Sequence, residues 1–277
     1  MKKILITGSN GYIARNLIQY LSDYELVCIN RSHFDMTDFD KVHKFFKNNF
    51  FDTVIHTCTI GGSRLQEDDQ NVFINNFKMH QNIMYNHEFY NKYVSFGSGE
   101  ELDKSRNIDF TVDLQNSFPL DYYGISKNYI AKTGYTSDKF VNLRVFNVFN
   151  HDELETRMIK YNIKNYIHGR PIVIHQDKYM DFFYIEDLAK IIIKVINRTL
   201  IQNEINCVYD KKYKLTDIAN IINNLSSKKV DIIIKKESLG LSYIGKYTLS
   251  SNINYLGLVK GIQNTYSIIN QKNNNKV

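Results

Sequence analysis

Tyr123 and Lys127 stand four residues apart in Tyr-Gly-Ile-Ser-Lys, a spacing that puts a phenol and an ammonium on one face of a helix. That pairing has a chemical use. A cation beside a tyrosine favours the phenolate, so Lys127 is expected to draw the Tyr123 pKa toward working pH, where the phenol can exchange a proton with an alcohol or ketone. Near the N-terminus, Thr7-Gly8-Ser9-Asn10-Gly11-Tyr12-Ile13-Ala14 has the form of a dinucleotide-binding turn. Gly8 permits a tight turn, Gly11 lets a diphosphate reach the backbone at a helix N-terminus, and Ala14 lets helix and strand pack closely. Asn10, Tyr12 and Ile13 belong to the same cofactor-contacting stretch. The bland alternative is a strand–turn–helix whose glycines serve conformation only. The next apolar run ends in Ile29-Asn30-Arg31-Ser32, with no carboxylate before Asp35. NAD sites usually place an acidic residue here to hold the ribose hydroxyls, whereas an arginine suits a 2′-phosphate. The expected cofactor is therefore NADP, through Arg31, with NAD as the alternative.

These groups need a scaffold, and the apolar pattern supplies one. Residues 3–7, 26–29, 53–55, 92–96 and 141–145 are short apolar runs of the kind buried on both faces of a parallel sheet. Between them, Ile13, Leu17, Ile18 and Leu21, then Phe39, Val42, Phe45 and Phe46, recur at helical spacing, and 72–89 and 122–134 read as further helices. The alternation predicts an α/β fold, a Rossmann-type doubly wound parallel sheet. Residues 1–149 form the dinucleotide-binding lobe, with 179–206 returning to it. Residues 150–178 and 207–277 form a smaller interleaved α/β substrate lobe. In that second half a strand is expected at 172–174, a helix at 185–196 introduced by Asp181, one helix at 215–225, and a frayed polar tail at 271–277.

Composition removes several classes. The chain has 277 residues and is 43% hydrophobic, enough for a sizeable core, which excludes wholesale disorder. No apolar stretch approaches the length of a membrane span, and the start runs straight into a strand without a cleavage region. Three separated cysteines without a CxxC pair indicate reduced thiols, no metal site and a cytoplasmic protein. The formal charge of +6 is spread along the chain, which argues against nucleic acid and suits an anionic small molecule. His80 and His87, seven apart without a third ligand, are read as surface packing.

With the glycine turn and the Tyr/Lys pair in place, the chain resembles the extended short-chain dehydrogenase/reductase family of NAD(P)-dependent nucleotide-sugar epimerases, dehydratases and reductases. The resemblance covers nearly the whole sequence and is closest to GDP-L-fucose synthase-like enzymes. It rests on Ile55-His56-Thr57-Cys58-Thr59-Ile60-Gly61-Gly62, on Asn76 and Asn82, and on Phe182-Phe183-Tyr184-Ile185-Glu186-Asp187-Leu188. The resemblance implies that Ser98, in Phe96-Gly97-Ser98-Gly99 and 25 residues before Tyr123, bonds the substrate carbonyl oxygen that Tyr123 protonates. Ser95 is assigned to the strand. Lys127 would also bind the nicotinamide ribose, Cys58 would lie by the cofactor as a small core side chain, and Asn76 would position its helix. Asn147, Arg157 and Lys178 are the expected substrate contacts, and a homodimer is implied.

Four positions depart from the family pattern. Glu100 stands where the fucose synthases carry a Cys and the dehydratases a Glu, and could remove a proton beside a keto group. The alternative reading makes Glu100 and Glu101 solvated loop charges. Gly99 replaces the dehydratase Asp, which leaves elimination of water poorly served. Arg157 replaces a second proton-transfer His, with His151 nearby, and Met180 replaces an Arg that holds the diphosphate, a role left to Lys178. The expected activity is NADP(H)-dependent reduction of a 4-keto-6-deoxy nucleotide sugar. The alternatives are a 4-epimerase or 4,6-dehydratase with tightly bound NAD and, remotely, a non-catalytic cofactor-sensing regulator.

Overall fold

The computed structural model describes residues 1–63, 67–109, 111–248 and 253–274. In chain order the strands are β1 (Lys3–Thr7), β2 (Glu25–Ile29), β3 (Phe51–His56), β4 (Tyr90–Ser98), β5 (Phe140–Val145), β6 (Val148–Phe149), β7 (Ile172–Gln176), β8 (Phe183–Tyr184), β9 (Glu204–Cys207) and β10 (Ile232–Lys236). The helices are α1 (Tyr12–Ile18), α2 (Phe39–Lys47), α3 (Gln70–Tyr85), α4 (Tyr122–Gly134), α5 (Met158–Ile167), α6 (Ile185–Ile196), α7 (Leu215–Asn223) and α8 (Gly257–Asn274). Six parallel strands make the main sheet in the order β2-β1-β3-β4-β5-β9. The strand order reverses between β1 and β3, which stay parallel, so a crevice opens at their carboxyl ends, where ligands bind in open α/β sheets.

Strand alternation divides the core. Ile4 and Ile6 pack into one apolar cluster with α1, α6 and the C-terminal segments, while Leu5 packs into the other with Phe46, Ile83, Tyr90 and Tyr93. Both faces of β1 are therefore dry, as the continuous apolar run requires. Truncating Leu5 to Ala would cost about 2–5 kcal/mol. Two small parallel pairs, β7 with β10 and β6 with β8, lie outside the main sheet. Asp187, fully buried in the first turn of α6, accepts from Lys190 Nζ, Tyr209 Oη, Leu256 N and Gly257 N, which fastens the start of α8 to the sheet. Among the described residues no helix is long and apolar enough to cross a membrane.

Four expectations are corrected. The helix expected at 72–89 stops at Tyr85, because the Asn86 N–H closes it on Ile83 O and Met84 O and its amide donates back to Asn82 O. β4 then starts at Tyr90 and runs on to Ser98. Tyr184, not Asp181, precedes α6 as its cap residue. The tail expected to fray from 271 stays helical to Asn274, where α8 buries Leu258, Gly261, Ile262, Thr265 and Ile269 along one stripe.

Candidate active site

At the cofactor end, Gly8 leaves β1 with φ +70, a conformation that favours glycine, and a Cβ on it would lie 2.9 Å from Cys58 N and 3.0 Å from Cys58 Sγ. The glycine turn and the segment after β3 are thus in contact, and Thr57 Oγ1 donates to Thr7 O (2.7 Å) across the same junction. Gly11 N donates to Gly8 O at 2.8 Å, and no side chain caps the start of α1. Ser9 N donates to Ile29 O at 3.0 Å, which brings the end of β2 alongside. There Asn30 Oδ1 accepts from Ser32 N and Ser32 Oγ and closes a tight turn with Arg31 exposed. A bare backbone cradle and a helix start open to an anion fit a nicotinamide dinucleotide, with the exposed Arg31 guanidinium nearby. Behind the turn, Tyr12 Oη donates to Asn150 Oδ1 (3.0 Å), and buried Asn16 donates to Asp152 and accepts from Asn150. Ile13 packs against the core from the same helix, and Asn10 is exposed at the turn.

The acid sits on α4. Asp121 caps that helix through Gly124 N (2.8 Å), and Gly124 lies against Glu100 O, so the helix abuts the turn after β4. Lys127 Nζ donates to Phe96 O at 2.8 Å and lies 5.5 Å from the centroid of the Tyr123 ring. Ser98 acts on the Tyr123 phenol as a polar neighbour. The backbone of Gly62 (φ +71) covers the ring's edge, since a Cβ there would lie 2.8 Å from Tyr123 Cζ. Asn76 holds that loop in place: it exchanges bonds with Ile60 N and O, both 2.8 Å, and donates to Ser126 Oγ on α4.

The electrostatics correct one expectation. Burial pushes the Tyr123 phenol well above its ordinary range. Ser98 opposes that shift, Glu100 and Glu101 reinforce it, and Arg157 opposes it. Burial also brings the Lys127 ammonium down to about 8, against Glu101 and Cys58. Lys127 lies over the ring's face and gives a hydrogen to a carbonyl, so it does not deliver its charge to the phenol oxygen. Tyr123 holds its proton.

Ser98 ends β4, and Glu100 N donates to its Oγ at 3.1 Å. The next two carboxylates part company. Glu100 pairs with Lys104, which also meets Asp121 at 3.1 Å. Glu101 is fully buried, contrary to the reading that made it a solvated charge. It accepts from Ser98 N (2.9 Å), Asn142 Nδ2 and Arg144 Nε (2.8 Å), and Arg144 reaches on to Glu204 at 2.5 Å. Gly97 is needed beside it, because a Cβ there would collide with Glu101 Oε1. His80 is corrected too: it is buried and linked to Tyr93 Oη and Thr133, and burial followed by the Lys127 charge drives it down to about 3. Ser95 is buried inside β4.

Arg157 is exposed at the start of α5 and acts electrostatically on Tyr123 and Tyr12, so it faces the site. Asn147 spends its amide on Asp181 O at 2.9 Å. Lys178 is half-buried on the second lobe, with its carbonyl accepting from Leu215 N. His151 has Lys272, Asp152 and Lys160 as its charged neighbours, none of them among the groups acting on Tyr123. Sequence reasoning missed Arg144, Glu153 and Tyr243. Tyr243 comes from the C-terminal part of the chain, its hydroxyl 2.5 Å from where a Cβ on Gly99 would lie, and the only sequence signal for it was the unexplained Gly99.

A Rossmann sheet with a serine, a protonated tyrosine and a lysine beside the glycine turn defines a nicotinamide-dependent enzyme of the extended short-chain dehydrogenase/reductase type. Residues 4–207 match the model of the NAD dependent epimerase/dehydratase family, and the chain belongs to that family. No curated protein matches the chain by sequence. Among solved structures it is similar to a GDP-mannoheptose C4 reductase from Campylobacter jejuni with NADP bound (TM-score 0.80, 17% identity, covering 97% of this chain and 98% of that one). It is also similar to a GDP-L-fucose synthetase from Naegleria fowleri bound to NADP (0.78, 14%, 99% and 94%). A third is UDP-glucuronic acid 4-epimerase from Bacillus cereus in complex with UDP-glucuronic acid and NAD (0.73, 20%, 98% and 99%).

Proposed function

We propose that this protein is an NADP(H)-dependent reductase of a 4-keto-6-deoxy sugar carried on a nucleotide. The observation that carries the reading is the buried, protonated Tyr123 with Ser98 as its polar neighbour and Lys127 against its ring. A phenol that keeps its proton is set to give it to a carbonyl oxygen. Gly8, Gly11 and Arg31 would hold the cofactor's phosphates, and Lys127 its ribose; the nicotinamide, when bound, supplies the hydride to the carbonyl carbon. Ser98 donates a hydrogen bond to the carbonyl oxygen, and Tyr123 hands its proton to the same atom. The place where a dehydratase carries its Asp is Gly99, which supports reduction over elimination. Arg157, exposed on the site side, is assigned to the substrate's anionic portion, with Asn147 and Lys178 beyond it. The likeness to reductases and a synthetase with NADP supports the cofactor assignment, as does Arg31.

The test offers NADPH or NADH with GDP-, UDP- and dTDP-linked 4-keto-6-deoxy sugars. NADPH consumption is expected, reduced by about 10²–10⁴-fold in Tyr123→Phe. Inversion at C4 without net cofactor loss would make the protein a 4-epimerase with NAD. Turnover unchanged in Tyr123→Phe would overturn the assigned acid. Glu100 would act only if the substrate also exchanges the proton beside its ketone, read as deuterium uptake that Glu100→Gln abolishes.

A further inference from the structure

Ser98 ends β4 and Tyr123 lies in the first turn of α4, so two separate elements must bring their hydroxyls to one carbonyl oxygen. One residue is bonded to both elements. Glu101 Oε1 accepts from Ser98 N at 2.9 Å, while Ser98 Oγ accepts from Glu100 N at 3.1 Å. The turn thus caps itself and fixes the serine by backbone and side chain together. The Glu101 carbonyl accepts from Asn128 Nδ2 at 2.8 Å. Asn128 follows Lys127 on α4, and its amide also donates to Ser117 O at 3.1 Å. A third element closes the set. On β5, paired with β4 so that Gly97 stands opposite Arg144, Asn142 Nδ2 donates to both carboxylate oxygens and Arg144 Nε donates to Oε2 at 2.8 Å. Asn128, Asn142 and Arg144 are all buried, so water does not compete for these bonds.

We propose that Glu101 is the positioning residue of Ser98: it holds the serine at a fixed offset from α4 and so sets where the hydroxyl meets the carbonyl oxygen that Tyr123 protonates. The kinetic side of this proposal rests on the reductase reading; the hold on Ser98 does not. What does the holding is the pair of oxygens. A carboxylate accepts at both, so Oε1 takes Ser98 N while Oε2 takes Arg144 Nε, and the serine is tied to β5 as well as to α4. Glu101 touches no substrate, yet a displacement of about 1 Å in a reacting group can cost about 10²-fold in rate. The charge of the pair and the acceptor for Ser98 N are separable contributions. An apolar pair of similar volume can replace the first without loss of stability but leaves Ser98 N with nothing to hold it.

Two double variants, both without the native charge pair, make the test. Glu101→Leu/Arg144→Met removes the acceptor for Ser98 N. Glu101→Gln/Asn142→Asp keeps it, because the new amide can donate to the new carboxylate while its oxygen still accepts from Ser98 N. In the keto-sugar assay with NADPH, at equal concentrations of folded enzyme, the first is expected to lose about 10–100-fold in kcat with little change in KM, and the second to stay close to the wild type. Asn128→Ala removes the donor on α4 and leaves the charges paired. It should lower kcat about 3–10-fold, and it decides the matter if the Leu/Met variant fails to fold. The other arm needs no substrate. Hydrogen exchange read by mass spectrometry should be at least about tenfold faster at residues 96–102 in the Leu/Met variant, relative to β1 of the same protein, whose exchange reports global stability. Unchanged exchange at 96–102 would overturn the proposal, as would a kcat near the wild type in the Leu/Met variant or in Asn128→Ala, or a loss confined to KM. Faster exchange there in a protein that reduces none of the sugars would uphold Glu101's hold on Ser98 and sink the reductase reading.

Discussion

Glu101, in the turn after β4, and Glu153, in the loop after β6, are both buried beside the site, at 0% and 5% exposure. Their surroundings differ in kind. Glu101 meets a guanidinium, an amide side chain and a backbone N–H, so each carboxylate oxygen has a donor and the charge has a counter-charge 2.8 Å away. Glu153 accepts from one backbone N–H, that of Lys160, while Arg157 and Lys160 act on it through space. Burial wins there, and the Glu153 carboxyl is pushed up to about 8. Burial alone therefore says little about what a carboxylate does; the number of donors within bonding distance decides whether it stays charged. Glu101 is a fixed strut beneath Ser98. Glu153 is a group that titrates near neutrality behind Tyr12.

The largest break in this contrast is Glu101→Ala. Removing its fully buried partner leaves Arg144 with Glu204 alone, half-exposed, as counter-charge, and the cost should be up to about 3–5 kcal/mol by chemical denaturation. Adding Arg144→Met should restore part of that loss; a double variant no more stable than the single would mean that the pair's charge is not what Glu101 contributes.

Next comes Glu153→Gln. In the native state Glu153 keeps its proton well above the ordinary 4.5, so folded protein binds more protons than unfolded between about 4.5 and about 8. Stability must fall as pH rises through that window and level off above it. The Gln variant lacks this slope and should gain on the wild type by on the order of 2–4 kcal/mol between pH 5 and pH 8. Parallel urea curves at both pH values would remove the distinction between the two carboxylates.

The smallest effect is Tyr12→Phe, which removes one of the two donors on Asn150 Oδ1, leaving Asp152 N, and should cost about 1 kcal/mol. No change in the denaturation midpoint would show that α1 is held to the loop by Asn16 and Arg15 instead.

What was legible in the sequence follows from contact range. Gly8 and Gly11 do their work within one strand–turn–helix, and Tyr123 and Lys127 within one helix face, so residue type and spacing carried them. Helices α4 and α6 were bounded correctly for the same reason. Glu101 was illegible because its meaning is Arg144, 43 residues away across the β4–β5 register. Tyr243 was illegible because nothing near it in sequence reports that its phenol fills the space beside Gly99. Helix α8 escaped notice because its buried stripe is narrow and interrupted by asparagines, which weaken both propensity and periodicity. The lowered Tyr123 pKa failed because spacing put Lys127 beside the ring without saying which atom it would face.

One feature of Lys127 reaches beyond its contacts. With a pKa near 8, this buried amine is only partly charged in mildly alkaline solution. A polyanion settling on the adjacent glycine turn makes the ammonium form more favourable, so docking of the dinucleotide is also an act of proton capture from the solvent. Affinity should then slacken as the medium becomes more alkaline, and in weakly buffered solution each binding event should leave the surroundings fractionally more basic.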